Sequence, residues 1–175
     1  MSIRDERLSN DYRALQKLCA FHEPVKIQMM EGSRPPEYYR LQLSNCKGVE
    51  SVSNEVPKYR TNHILEISSF PKEYPDPGQI PDLKFLTPIY HPNVYPKGSR
   101  KPVGTVCLEG REIKTMVHTL ESLVERVIGM IQYENRQYGA PANSEARDWA
   151  NRNTHLFPFS SNSQTSQSPQ RLSWR

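Results

Sequence analysis

The chain has 175 residues, a formal net charge of +4 from interspersed signs, and 15 prolines, which suits one turn-rich domain with a tail. No basic stripe marks a nucleic-acid footprint, and no run of about 18 apolar residues could span a membrane, so neither partner is expected. The three cysteines, Cys19, Cys46 and Cys107, are widely spaced without a C-x-x-C pair, which argues against a disulfide framework or zinc site and for a reducing, cytoplasmic setting.

The start, Met1 to Arg7, is charged and has no apolar signal core. Residues 3 to 21 read as an amphipathic helix, with Leu8, Tyr12, Leu15 and Cys19 on one face. Arg4, Arg7, Arg13 and Lys17 fall mostly off that face and read as a solvated polar surface; Cys19 reads as a small core hydrophobe. Glu23-Pro24 breaks the helix. Val25 to Glu31 and Tyr38 to Asn45 alternate as two strands, joined by the stiff loop Gly32-Ser33-Arg34-Pro35-Pro36. Residues 46 to 60 are polar and weakly patterned and read as a turn. Asn62 to Phe70 is a third strand and Leu83 to Thr87 a fourth; the segment between them is too proline-rich for regular structure. Short connections between neighbouring strands imply an antiparallel meander.

From Phe85 to Glu109 the chain carries Pro88, Pro92, Pro96 and Pro102, which forbid a helix or a central strand. Yet Ile89, Tyr90, Val94, Val103 and Val106 want burial. Long, irregular, partly buried loops are commonly functional, and this one delivers a thiol, Cys107. Gly110 to His118 is a polar connection. Thr119 caps the next helix, with Glu121 in its first turn and a broad apolar stripe of Leu120, Leu123, Val124, Val127, Ile128 and Ile131. Gly139 and Pro141 end that region. Ser144 caps a short helix anchored by Trp149. Residues 1–157 therefore read as the domain. Residues 158–175, rich in Ser, Gln and Asn, read as a disordered tail, unless Leu172 and Trp174 form a docking peptide.

Tyr90-His91-Pro92-Asn93, followed by a glycine and then Cys107-Leu108-Glu109, resembles the active-site loop of ubiquitin-conjugating enzymes. Phe70-Pro71, Tyr74-Pro75 and Phe85-Leu86-Thr87-Pro88-Ile89 upstream, and Thr119 and Pro141-Ala142-Asn143 downstream, extend the resemblance over about residues 4 to 153. It implies an α+β fold, a four-stranded antiparallel meander packed on helices. It implies a thioester carrier that accepts ubiquitin or a ubiquitin-like protein from an activating enzyme onto Cys107 and passes it to a lysine of a protein substrate. It implies no metal or organic cofactor, since the activating enzyme would use the ATP. In the family the basic first helix docks on the activating enzyme, which points to Arg4, Arg7, Arg13 and Lys17.

Cys107 is then the nucleophile: a thiolate accepts an acyl group readily and the thioester stays reactive toward amines. The Asn93 amide either donates to an oxyanion at the thioester carbonyl or braces the loop backbone. His91 ties the loop down, Pro92 enforces the turn and Tyr90 packs underneath. Free lysine has a pKa of about 10.4, so some group must take its proton. The family's acidic residue after the long helix has no match, because Gln137, Tyr138, Gly139 and Ala140 stand there; Glu109 and Tyr138 are the remaining candidates. Three further departures stand out. The stretch between Asn93 and Cys107 is lengthened by the basic Y-P-K-G-S-R-K-P. Asp76 replaces the aromatic expected after Tyr74-Pro75, and Ile113 to Val117 replaces a tryptophan and a Ser-Pro-Ala stretch, which puts docking to ordinary RING or HECT ligases in doubt. The chain ends after one C-terminal helix where the family often has two, a trimming similar to the conjugating enzymes of bacterial ubiquitin-like operons. Two rival readings are a non-catalytic binding module of the same fold, in which the cysteine is commonly lost, and a thiol hydrolase, for which His118 is the nearby spare base.

Overall fold

The computed structural model describes residues 2–21, 24–32, 35–108, 111–134 and 140–158. Its elements run α1 (Ile3–Phe21), β1 (Val25–Glu31), β2 (Tyr38–Leu43), β3 (Gly48–Ser53), β4 (Val56–Arg60), β5 (His63–Ser68), β6 (Asp82–Phe85), α2 (Arg111–Thr115), α3 (Leu120–Ile131) and α4 (Ser144–Arg152), with a 3-10 turn at Thr154–Leu156. The main sheet has the order β1-β2-β5-β6, every pair antiparallel. Alternation along β2 and β5 sends Tyr39, Leu41, Leu43, Leu65 and Ile67 to one face. There they meet Leu15 and Leu18 of α1 and Leu123, Val124 and Val127 of α3 in one core cluster.

The first helix follows its expected bounds, but its buried face carries a charge. Asp11 is only 2% exposed. A buried carboxylate is tolerated only when its oxygens are occupied. Here Arg7 donates Nε–H at 2.9 Å, the Tyr74 hydroxyl donates to the same carboxylate, and the Leu120 amide donates at 3.2 Å. The Leu120 amide opens α3 and is one of the donors that a helix start leaves without an internal partner. Asp11 thus bolts α1 to α3. The same network corrects the picture of a wholly solvated basic face. Arg7 also donates to the His118 carbonyl at 2.9 Å, and Arg4 pairs with Glu37 and reaches the Pro71 carbonyl. Arg13 and Lys17 are exposed as expected.

Residues 46 to 60 are a hairpin, β3 with β4, and not a turn. Asn54 and Glu55 sit at φ 50° and 65°, the two positive values that a tight two-residue hairpin loop needs. The missing signal was a glycine; distant side chains hold the loop instead. Trp149 donates Nε1–H to the Glu55 carbonyl at 3.2 Å, Arg152 and Asn153 donate to the Glu55 carboxylate at 2.9 and 2.8 Å, and the Tyr59 hydroxyl donates to the Leu156 carbonyl at 2.6 Å. Val49, Tyr133, Trp149, Ala150 and Phe157 form a second, smaller core behind this hairpin.

Two more expectations change. The connection after Cys107 contains α2, where Ile113 is 4% exposed and supplies the burial that a purely polar linker would lack. The cap of α4 is Asn143, whose side chain accepts from the Ala146 amide at 3.0 Å, so Ser144 is already helical. Thr119 caps α3 as expected, in a reciprocal capping box with Ser122. The second strand stops at Leu43, short of the left-handed Asn45. Among the described residues no helix is long and apolar enough to cross a membrane.

Candidate active site

Past β6 the chain becomes irregular, yet it is closely hydrogen-bonded. The Phe85 amide donates to the Gly104 carbonyl at 2.9 Å and the Val106 amide to the Leu83 carbonyl at 2.8 Å, so the segment before Cys107 lies along the edge of β6. Gly104 makes this approach possible. It sits at φ +85°, and a Cβ there would collide with the Phe85 carbonyl oxygen. Val94 and Val106 pair across the loop as an isolated antiparallel bridge.

One residue past that bridge, residues 93 and 107 face each other. The Cys107 amide donates to the Asn93 carbonyl at 2.7 Å, and Asn93 Nδ2 donates to the Cys107 carbonyl at 3.0 Å. The half-buried Cys107 is thereby held through its own backbone. Its partner strand segment is fixed from behind. The Asn93 amide donates to His91 Nδ1 at 3.0 Å. The Tyr90 amide donates to the Val49 carbonyl at 2.7 Å, and the Tyr90 carbonyl accepts from the Tyr133 hydroxyl at 2.6 Å. The Pro92 carbonyl accepts from the Asn143 amide at 2.9 Å. The His91 ring stands edge-on to Tyr133 at 4.4 Å, and the Tyr90 ring packs on Trp149 at 6.1 Å. Burial pushes the Tyr90 hydroxyl up to about 12.

Tyr90, His91, Pro92, Asn93 and Cys107 are therefore brought together as the motif suggested. Glu109 and Tyr138 lie outside the described residues. Arg4, Arg7, Arg13 and Lys17 belong to α1, which packs on α3 and β1. Val103, expected to be buried, is 57% exposed. Sequence reasoning missed Val49, Tyr133 and Asn143, which support the loop. Tyr133 has no local signal, since it follows the apolar stripe of α3 at a left-handed φ of 61°. Asn143 is visible in Pro141-Ala142-Asn143, but its bond to the Pro92 carbonyl exists only in the fold. Among the described residues no cluster of His, Cys, Asp and Glu could hold a metal ion.

His91 is 1% exposed, and burial pushes its pKa down to about 3 from the ordinary 6.5. The ring is neutral at any physiological pH, so it orients the loop and does not move protons. The unfolded chain binds a proton near pH 6.5 that the folded chain refuses until about pH 3. Stability from this group is complete above pH 6.5 and is lost as pH falls, by up to about 1.4 kcal/mol per unit. His91→Asn keeps an acceptor for the Asn93 amide without a titrating ring. Urea unfolding between pH 6.5 and 4.5 should show a shallower loss of stability for this variant than for the parent. Identical slopes would place the acid sensitivity elsewhere, for instance at His63, whose pKa burial also lowers.

A family model described as ubiquitin-conjugating enzyme matches residues 55–163. Among curated proteins, "Ubiquitin-conjugating enzyme E2 7" of Triticum aestivum is 35% identical over 105 residues, which is 52% of this chain and 56% of that protein. "Ubiquitin-conjugating enzyme E2 13" of Arabidopsis thaliana is 34% identical over 106 residues, 52% of this chain and 58% of that one. The chain thus spans a little over half the length of these relatives. A solved structure described as "Novel Ubiquitin-Conjugating Enzyme" superposes with a TM-score of 0.55 at 21% identity, covering 87% of this chain and 88% of its own, which establishes the shared fold.

Proposed function

The chain belongs to the ubiquitin-conjugating enzyme family, and from that premise we propose that it carries ubiquitin or a ubiquitin-like protein as a thioester on Cys107 and hands it to a lysine of a target protein. The observation that carries this reading is the reciprocal pair of hydrogen bonds between Asn93 and the backbone of the half-buried Cys107, which fixes the frame of the thiol-bearing residue. In charging, the Cys107 thiolate attacks the carbonyl of the modifier's thioester and the activating enzyme's thiolate leaves. The two thiols are chemically alike, so this exchange needs no general base in the loop. In discharge, the neutral amine attacks the new thioester, the carbonyl oxygen becomes an oxyanion, the Cys107 thiolate leaves as the amide forms, and the proton shed by the attacking nitrogen passes to that thiolate or to water. In the resting loop Asn93 is a brace, spending its amide on the Cys107 carbonyl. On this reading the same amide turns to the oxyanion during discharge.

Two observations weigh against the rival readings. Within the loop the one imidazole a hydrolase could use is His91, which is neutral, buried and already accepting a hydrogen bond at Nδ1; His118 remains the base of that rival reading, and the charging test below separates the two. A non-catalytic module has no use for a presented thiol. Exposed Arg13 and Lys17 remain suited to an activating enzyme, while Arg4 and Arg7 are engaged within the fold. Ordinary ligases are not part of the proposal: Asp76 is exposed where an aromatic is usual, although Met116 and Val117 stand exposed and Met116 accepts from the Gly78 amide nearby. The relatives named above are plant proteins, and kinship with bacterial ubiquitin-like operons rests on the sequence departures alone.

The test is a charging reaction with an activating enzyme, ATP and ubiquitin, or a ubiquitin-like protein with its own activating enzyme. A band shifted by the modifier's mass, removed by reductant, is expected. Release of free modifier from its thioester with no such band would favour the hydrolase instead.

Residues 158–175 should be dispensable for charging. Ordering a residue costs roughly 1–2 kcal/mol of backbone entropy, and this Ser- and Gln-rich stretch offers little burial in return. The second core closes with Trp149 and Phe157, both at most 3% exposed. A chain ending at Pro158 should fold and charge at the full-length rate. Normal charging with lost transfer to a target would mark Leu172 and Trp174 as a docking peptide; failure to charge would move the domain boundary.

A further inference from the structure

Between Val94 and Val106 the loop forms a short two-stranded stem against the edge of β6, with an exposed tip. The Tyr95 amide donates to the Thr105 carbonyl and the Gly104 amide to the Tyr95 carbonyl, both at 2.9 Å. The tip, residues 96–103, holds Lys97, Arg100 and Lys101 and no acidic residue. All of its side chains are exposed except that of Ser99, which is half-buried. The tip is held in place. Arg100 lies over the Tyr95 ring at 5.9 Å and donates to its hydroxyl at 3.2 Å, and the Ser99 hydroxyl and amide both donate to the Pro96 carbonyl. At its base the stem ends on the Asn93–Cys107 pair. Two residues separate Cys107 from the close of the stem, so at ~3.3 Å per residue the tip cations stand roughly 10–20 Å from the thiol.

We propose that this lobe selects targets in which the modified lysine is followed or preceded, about three to six residues away, by a run of acidic side chains. An extended peptide with its lysine at Cys107 would lay that run against Lys97 and Lys101. The biological setting rests on the thioester reading above, but the charge preference is a property of the surroundings of Cys107 and can be measured without it. Three positive charges within ~20 Å of a reacting thiol steer an acidic peptide when salt is low and lose their hold once the Debye length shrinks to a few ångströms.

The probe is a pair of peptides with a cysteine 2-thiopyridyl disulfide in place of the lysine, flanked at the fourth to sixth positions by Glu or by Ala. The Cys107 thiolate attacks the peptide sulfur, a new disulfide forms, and 2-thiopyridone leaves with the bonding pair and is read by its absorbance. Cys107→Ala subtracts any reaction at Cys19 or Cys46. The acidic peptide should react about three- to tenfold faster than the neutral one at ~20 mM salt, and the two should converge near ~0.5 M salt. Lys97→Glu with Lys101→Glu should invert the ratio and leave the neutral peptide's rate within about twofold. The rate ratio cancels any change in the thiol's own reactivity. Equal rates for the two peptides, or a preference that survives the double variant, would overturn the proposal. So would single-stranded oligonucleotide suppressing the acidic peptide's advantage at equal charge, which would make the lobe a generic polyanion binder. No activating enzyme or modifier enters the assay, so its failure and a failure to charge are separate results.

Discussion

Cys107→Ala should abolish the reductant-sensitive adduct completely, and Cys107→Ser should replace it with one that reductant leaves intact and mild base cleaves. A thioester is broken by an external thiol because sulfur is a good leaving group; an oxygen ester is not. Serine is also the poorer nucleophile, so its adduct should accumulate more slowly. No other thiol can substitute. Burial raises the pKa of both Cys19 and Cys46, which leaves each with little thiolate at neutral pH. Cys46 is 3% exposed and closed within the main core. Non-reducing gels of the three proteins, charged side by side, decide the matter. A normal adduct on Cys107→Ala would remove this residue from the mechanism.

Asn93→Ala should separate charging from discharge. The substitution deletes the Nδ2 donor at 3.0 Å from the Cys107 carbonyl. It spares the two backbone links of the same residue, from the Cys107 amide to its carbonyl and from its own amide to His91 Nδ1. The loop should therefore keep its path, and charging should stay within a few-fold. Discharge to lysine develops an oxyanion beside the missing donor. Loss of one such donor costs on the order of 2.7–4 kcal/mol in known oxyanion sites, or about 10²–10³ in rate. Single-turnover discharge of the pre-charged protein reads the chemical step directly. Equal rates for the parent and the alanine variant, at equal stability, would leave the side chain as a brace only. Asn93→Asp sharpens the test: it keeps the shape, removes the donor, and points a carboxylate at the Cys107 carbonyl. It should be at least as slow as the alanine variant.

Much of this frame could be read without coordinates. The spacing of Leu8, Leu15 and their neighbours placed α1 within its true bounds, and Thr119 marked the start of α3, because a cap and a 3.6-residue period are decided by residues close in the chain. Alternation placed the four strands of the main sheet to within a few residues. The spacing of Tyr90-His91-Pro92-Asn93 and Cys107 identified the loop that the fold assembles around the thiol.

Tertiary structure decided the rest. Asp11 carries no signal of its own in the sequence, and only the meeting of α1, Tyr74 and Leu120 makes it a buried anchor. Residues 46 to 60 lack the pattern of a hairpin because its loop is held by Trp149, Arg152 and Asn153, about a hundred positions away. The support behind the site likewise comes from Val49, Tyr133 and Asn143, whose contacts with the loop span from 41 to 51 positions of sequence. The lengthened basic stretch is visible in the sequence, and its hydrogen-bonded stem makes it a fixed lobe that leaves Val103 in solvent. Sequence alone carried α1, α3, the four strands of the main sheet, the candidate nucleophile and the loop motif, since propensity, periodicity and chemical identity are local properties. Which buried charge is neutralised, which loop is held and what stands behind His91 were decided only by packing, because those free energies arise between groups that the chain brings together from far apart.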